Sequence, residues 1–157
     1  MSTADGPVGL TTVFPDVIEA LTDHDPRRRD LAAETLDDVL RGSALDTDTA
    51  RLLVGHLVRL AVEDPVTGVR ESALNAIGGA LRHHRLPFGL VGPLGPAMRT
   101  MTPELLLHSL FVLGATHDER ARPLLEPFLR HPDPEVRAET RLAMDEITAA
   151  SPPPPSA

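Results

Sequence analysis

The stretch Arg130–Ile147, RHPDPEVRAETRLAMDEI, decides how this chain is read. Asp133 and Pro134 mark a helix start. A carboxylate there can accept from the free N–H groups of the first turn, and proline fits because its missing N–H has no intrahelical acceptor anyway. Thr140, Met144 and Ile147 follow Arg137 at three, seven and ten residues, the spacing of one helical face. One helix cannot bury that face alone, so the stretch demands a neighbour.

The same phrase occurs in DPRRRDLAAETLDDVL (25–40), EDPVTGVRESALNAIGGAL (63–81) and TPELLLHSLFVLG (102–114). Aligned on Arg29, Arg70, Leu106 and Arg137, the copies form columns. Ala32, Ala73, Ser109 and Thr140 come three residues on, and Leu36, Ile77, Leu113 and Met144 seven on. Val39, Ala80, Thr116 and Ile147 come ten on. Before the anchor stand Val17, Val58, Leu94 and Leu125, then Leu21, Val62, Met98 and Leu129. Each unit is thus a helical hairpin. The spacings predict A helices near 13–22, 47–63, 88–100 and 119–130, and B helices at 26–41, 67–84, 103–116 and 134–149. Pro93 and Pro96 make the third A helix irregular.

The segment LGATHDERARPLLEPFLRHPDPEVRAETRLAMDEI (113–147) resembles the HEAT-like repeat first associated with bilin lyases of light-harvesting antennae. Asp133, Pro134, Val136 and Arg137 match its Asp-Pro-x-Val-Arg pattern. Asp25, Pro26 and Arg29 match less fully, and Asp64, Pro65, Val69 and Arg70 match with a VTG insertion. The resemblance implies an all-α fold, a right-handed α-solenoid (an α-α superhelix of the armadillo/HEAT-like kind) of about four hairpins over residues 11–149. Residues 1–10 are then a flexible N-terminus and 150–157 a disordered Pro-rich tail. It also implies that the anchor arginines bond acidic and backbone groups between units. Asp25, Arg29, Asp64, Arg70, Asp133 and Arg137 are therefore expected to form a structural ladder. Asp25 and Asp133 lie four residues before their anchors, where carboxylate and guanidinium can meet across one turn. Four residues past the anchor, Ala33, Leu74 and Leu110 give way to Arg141, so the solenoid is expected to end with the fourth unit.

Net charge is −8, and all 15 cationic side chains are arginine. An acidic surface repels phosphate backbones, and the chain has no Trp or Tyr on which bases could stack. Nucleic acid is not an expected partner. There is no cysteine for a thiolate site. The most apolar run, LPFGLVGPLGPAM, is too short to span a bilayer, and no leader segment is visible, so a cytoplasmic protein is expected. Seven histidines raise the question of a metal, but only Glu104 and His108 have ligand spacing on a helix, with no second pair to face them. No metal or cofactor is expected. The iron-binding His-Glu dipeptides of deoxyhypusine hydroxylase, an enzyme of this fold, are missing here, as are a phosphate loop and a nucleophile elbow.

What remains is the face of the B helices turned away from the A layer. It carries Asp30, Glu34, Asp37 and Asp38 in the first unit, Glu71 and Asn75 in the second, Leu107 and Phe111 in the third, and Leu142 in the fourth. These nine residues are the expected partner-binding surface: acidic at one end, apolar in the middle, acidic again at the far edge. Alternatively, Leu107, Phe111 and Leu142 belong to a wider core. The expected function is that of a non-catalytic adaptor holding a basic, partly apolar protein on the concave B-helix face. Two alternatives are an immunity-type inhibitor of a toxin and an accessory or enzyme of the chromophore-lyase type.

Overall fold

The Asp-Pro pairs begin helices by supplying an acceptor for a donor that the helix cannot satisfy itself. Asp25 accepts from the Arg27 N–H at 2.9 Å at the head of α2 (Pro26–Arg41), and Asp133 from the Glu135 N–H at 2.8 Å at the head of α9 (Pro134–Ala150). Asp46 does the same, through Thr49, for α3 (Thr47–Glu63). The remaining long helices are α1 (Val8–Ala20), α4 (Thr67–Leu81) and α7 (Pro103–Ala115). The computed structural model describes residues 8–42, 44–152 and 155–156, with side chains from Phe14 onward. Most of the N-terminal stretch expected to be flexible, and part of the Pro-rich tail, lie outside the described residues. Val8–Leu10, assigned to that stretch, belong to α1.

α2 and α3 match the predicted bounds, whereas α1 begins at Val8, five residues before the expected start, and ends at Ala20, two before the expected end. The second B helix stops at Leu81, three residues early. His83 and His84 both donate to the Ala80 carbonyl, and the chain turns to bury Leu86 ahead of Pro87, which requires an extended residue before it. The VTG insertion moves the start of α4 to Thr67, so Asp64 is not its cap.

The third A helix is broken, as expected, into α5 (Phe88–Val91), α6 (Leu94–Ala97) and a 3-10 turn at Met98–Thr100. The fourth, expected to be continuous over 119–130, is broken too. A 3-10 turn (Glu119–Ala121), α8 (Arg122–Leu125) and a second 3-10 turn (Glu126–Arg130) replace it. Pro123 and Pro127 each sit in the first turn of a segment, the place in a helix that proline tolerates. The Arg122 guanidinium and the Ser151 hydroxyl hold the Glu119 carboxyl down to about 2 and tie the end of α9 to this segment.

In the B layer α2 packs on α4, α4 on α7 and α7 on α9, while α1, α3 and the short A segments line the other side. Nearly all aligned apolar columns lie in the interface between layers. Ala32, Ala73, Ser109 and Thr140 are buried, as are Leu36, Ile77 and Leu113, with Met144 half-buried against them. Each buried Leu or Ile stabilises the fold by about 1.5–3 kcal/mol relative to exposure, a gain each hairpin realises only with its neighbour in place. Arg141 is exposed, whereas Ala33, Leu74 and Leu110 are buried. The chain is an α-solenoid of helical hairpins, with no strand among the described residues. Among those residues, no helix is long and apolar enough to cross a membrane.

Candidate functional site

The anchor arginines share one role, and it differs from the expected pairing. Asp25 and Asp133 cap their helices and do not bind the arginines four residues on. The guanidinium groups turn instead to carbonyls where the preceding A segment ends. Arg29 Nη1 donates to Asp23 O at 2.8 Å and His24 O at 3.2 Å, and Arg70 Nε donates to Ala61 O at 2.7 Å. Arg137 Nη1 donates to His131 O at 2.7 Å and Pro132 O at 2.9 Å. Carbonyls at a helix end have no intrahelical donor, so each arginine supplies one. Leu106 replaces the arginine in the third unit and is buried in the core; there the 3-10 turn closes on itself through Met101 N–H to Met98 O at 3.3 Å.

Among the described residues, Arg29 is the one anchor arginine that also links two units. Its Nε and Nη2 grip both Asp64 oxygens at 2.7 and 3.2 Å, with Arg29 12% and Asp64 3% exposed. Asp64 also accepts from the Val66 N–H at 2.9 Å, so this pair fixes how the second unit sits on the first.

On the opposite side the B-helix face carries the nine residues singled out above. The structure sorts them into engaged and free groups. Asp30 accepts from the Ser72 hydroxyl, Asp37 is paired with Arg41 at 2.8 Å, and Glu71 lies 3.7 Å from His108 Nε2. Glu34 and Asp38 are exposed and make no ion pair among the described residues. Asn75 is exposed beside a small cleft that Arg41, Arg82, His108 and Phe111 also line. The middle of the face is therefore not purely apolar; two arginines border it. Leu107 is half-buried against the core, whereas Phe111 is 39% and Leu142 59% exposed. The wider-core alternative thus applies to Leu107 and not to the other two.

Phe111 and Leu142 line one cleft of about 630 Å³ between α7 and α9. Phe111, Gly114 and Ala115 come from α7, with Glu139, Leu142, Ala143 and Glu146 from α9 at spacings of three, four and seven, one helical stripe against another. The helices approach closely because Gly114 has no Cβ; one built there would lie 2.6 Å from Ala143 Cα. Asp145 and His117 complete the polar rim, and the lining contains no arginine. His117 follows α7 in the left-handed conformation, φ 55°, and its Nε2 lies 3.0 Å from a Glu146 oxygen. Glu139 was missed in the sequence because it stands two residues past the anchor, one position off the face traced there. Its spacing of three from the exposed Leu142 is the signal that would have found it. It is half-buried, and burial pushes its carboxyl above the ordinary value while His108 pulls it the other way. Among the described residues no three His, Asp or Glu side chains converge as a metal site would require.

No family model matches the chain, and no curated protein matches it. Solved structures do. A designed armadillo repeat protein in complex with the peptide (KR)4 superimposes with a TM-score of 0.64 at 15% identity, over 83% of this chain and 62% of that one. A second designed armadillo repeat protein gives 0.59 at 16% identity, over 83% and 63%. An engineered protein gives 0.59 at 16%, over 85% and 62%. This chain therefore spans less than two thirds of the length of these neighbours. The likeness is one of fold: an armadillo-like helical repeat solenoid.

Proposed function

We propose that this chain is a non-catalytic binding module that holds a basic, partly apolar segment of another protein along its B-helix face. One observation carries the reading: Phe111 and Leu142 stand exposed in a cleft whose charged rim has three carboxylates and no arginine. An exposed aromatic beside an exposed leucine is the composition of an interface centre, and the acidic rim selects the sign of the partner. Glu34 and Asp38 extend that selection to the first unit. An armadillo-like neighbour bound to a Lys-Arg peptide supports the choice of a cationic segment. An immunity-type inhibitor of a basic toxin is one form the module could take. The chromophore-lyase alternative fits less well, because the same carboxylates would repel the acidic side arms of a bilin.

The peptide (KR)4 is a suitable probe. Eight extended residues span about 26–29 Å, and three helix-to-helix steps from α2 to α9 cover about 24–30 Å. Calorimetry is expected to show binding that weakens steeply with added salt. Glu34→Lys with Asp38→Lys is expected to weaken it by about tenfold or more, with the circular dichroism unchanged. No binding by the wild-type chain, or equal binding by that variant, would overturn the reading.

A further inference from the structure

We propose that the cleft between α7 and α9 is a pocket for a single arginine side chain of the partner; this rests on the reading of the B-helix face above and specifies its recognition chemistry. Its three carboxylates are not equivalent. Glu146 is already met by His117, and Asp145 is exposed at the rim. Glu139 is half-buried and has no ion-pair partner among the described residues. A carboxylate partly withdrawn from water, with only the His108 ring acting on it from a distance, loses solvation that an arriving cation would replace with a charged hydrogen bond. The upward displacement of its proton affinity is the same unfavourable burial seen from the isolated chain.

The apolar parts define the rest of the occupant. Phe111 offers a ring on the α7 side, and Leu142 and Ala149 offer aliphatic surface on the α9 side. An arginine stem can cover Leu142 while its planar head lies over the ring and presents its fork to Glu139. Lysine carries a more strongly hydrated point charge and cannot stack in this way. A purely apolar side chain would bury Glu139 further with no partner. An acidic one would be repelled by all three carboxylates.

The test uses the full chain and three peptides identical except at one central residue: arginine, lysine, or citrulline, the uncharged isostere of arginine. Calorimetry is expected to rank arginine about tenfold above citrulline, with lysine between them. Glu139→Gln is expected to abolish the arginine–citrulline difference. Equal affinity for arginine and citrulline, a preference that survives Glu139→Gln, or no measurable binding of the arginine peptide would each overturn the pocket. So would a dimer that Leu142→Arg dissociates, since the occupant would then be a second copy of the chain. If (KR)4 binding survives Glu139→Gln but is lost when Glu34 and Asp38 become lysine, the pocket fails while the wider reading of the face stands.

Discussion

Replacing Arg29 with alanine will destabilise the chain by about 3 kcal/mol, the low end of the cost of breaking a buried pair, since Arg29 keeps some exposure. The loss has three sources. Asp64 is left buried with a charge and only the Val66 N–H to meet it, while the Asp23 and His24 carbonyls lose their shared donor. Arg137→Ala removes carbonyl contacts alone, in a setting that water can reach, and will cost nearer about 1 kcal/mol. Urea unfolding followed by circular dichroism measures both, as the chain lacks Trp and Tyr for fluorescence. Asp64→Ala in the Arg29→Ala background should cost little more, because the two groups act as one. Equal losses at Arg29 and Arg137 would show that the Asp64 link between units contributes nothing.

A Gly114→Ala substitution will destabilise the fold by about 3 kcal/mol, the upper end of overpacking costs. In an ordinary helix interior the same change stabilises by roughly 1 kcal/mol, so the sign itself is informative. The added Cβ would fall 2.6 Å from Ala143 Cα, 2.7 Å from its Cβ and 3.1 Å from its carbonyl oxygen. Backbone cannot rotate aside as a flexible side chain can, so α9 has to move off α7 and the cleft between them changes shape. Gly68, in the first turn of α4, is the internal control. Nothing lies within 4 Å of a Cβ there, and Gly68→Ala will stabilise by a few tenths to about 1 kcal/mol. A stabilised Gly114→Ala variant would mean that α7 and α9 are farther apart than described.

The B layer was legible in the sequence because burial and the helical period repeat together. Leu36, Ile77 and Leu113 could be placed from spacing alone, and all are buried. The fourth A segment was not. Its paired leucines suggest a helix, but Pro123 and Pro127 fall four apart and interrupt the N–H ladder twice, and tertiary packing then holds the pieces in place. Of the six residues expected in the ladder, Arg29 and Asp64 bond across units, Arg70 and Arg137 bond carbonyls of their own unit, and Asp25 and Asp133 cap helices. Sequence spacing identifies Asp25 and Arg29 as possible partners, but a carboxylate in the N-cap position is already committed to a backbone N–H. Cross-unit links such as Arg29–Asp64 span 35 residues and leave no local trace.

The proposed binding face was legible in part for a similar reason. Spacing placed Leu107, Phe111 and Leu142 on one face and left open whether they belong to a wider core; Phe111 and Leu142 are exposed and Leu107 is half-buried. Which carboxylates remain free is a question of neighbours on adjacent helices. Asp37 turns to Arg41 and Asp30 to Ser72, whereas Glu139, one position off the traced face, enters the cleft. The left-handed His117 carries no sequence signal beyond its place after a helix.

The most direct test of the central claim is an amide chemical-shift map of the ¹⁵N-labelled chain titrated with (KR)4. Perturbations are expected to concentrate on Glu34, Asp38, Phe111, Glu139 and Leu142, with α3 and α8 unaffected. Perturbations centred on the A-layer side, or none at saturating peptide, would contradict that claim.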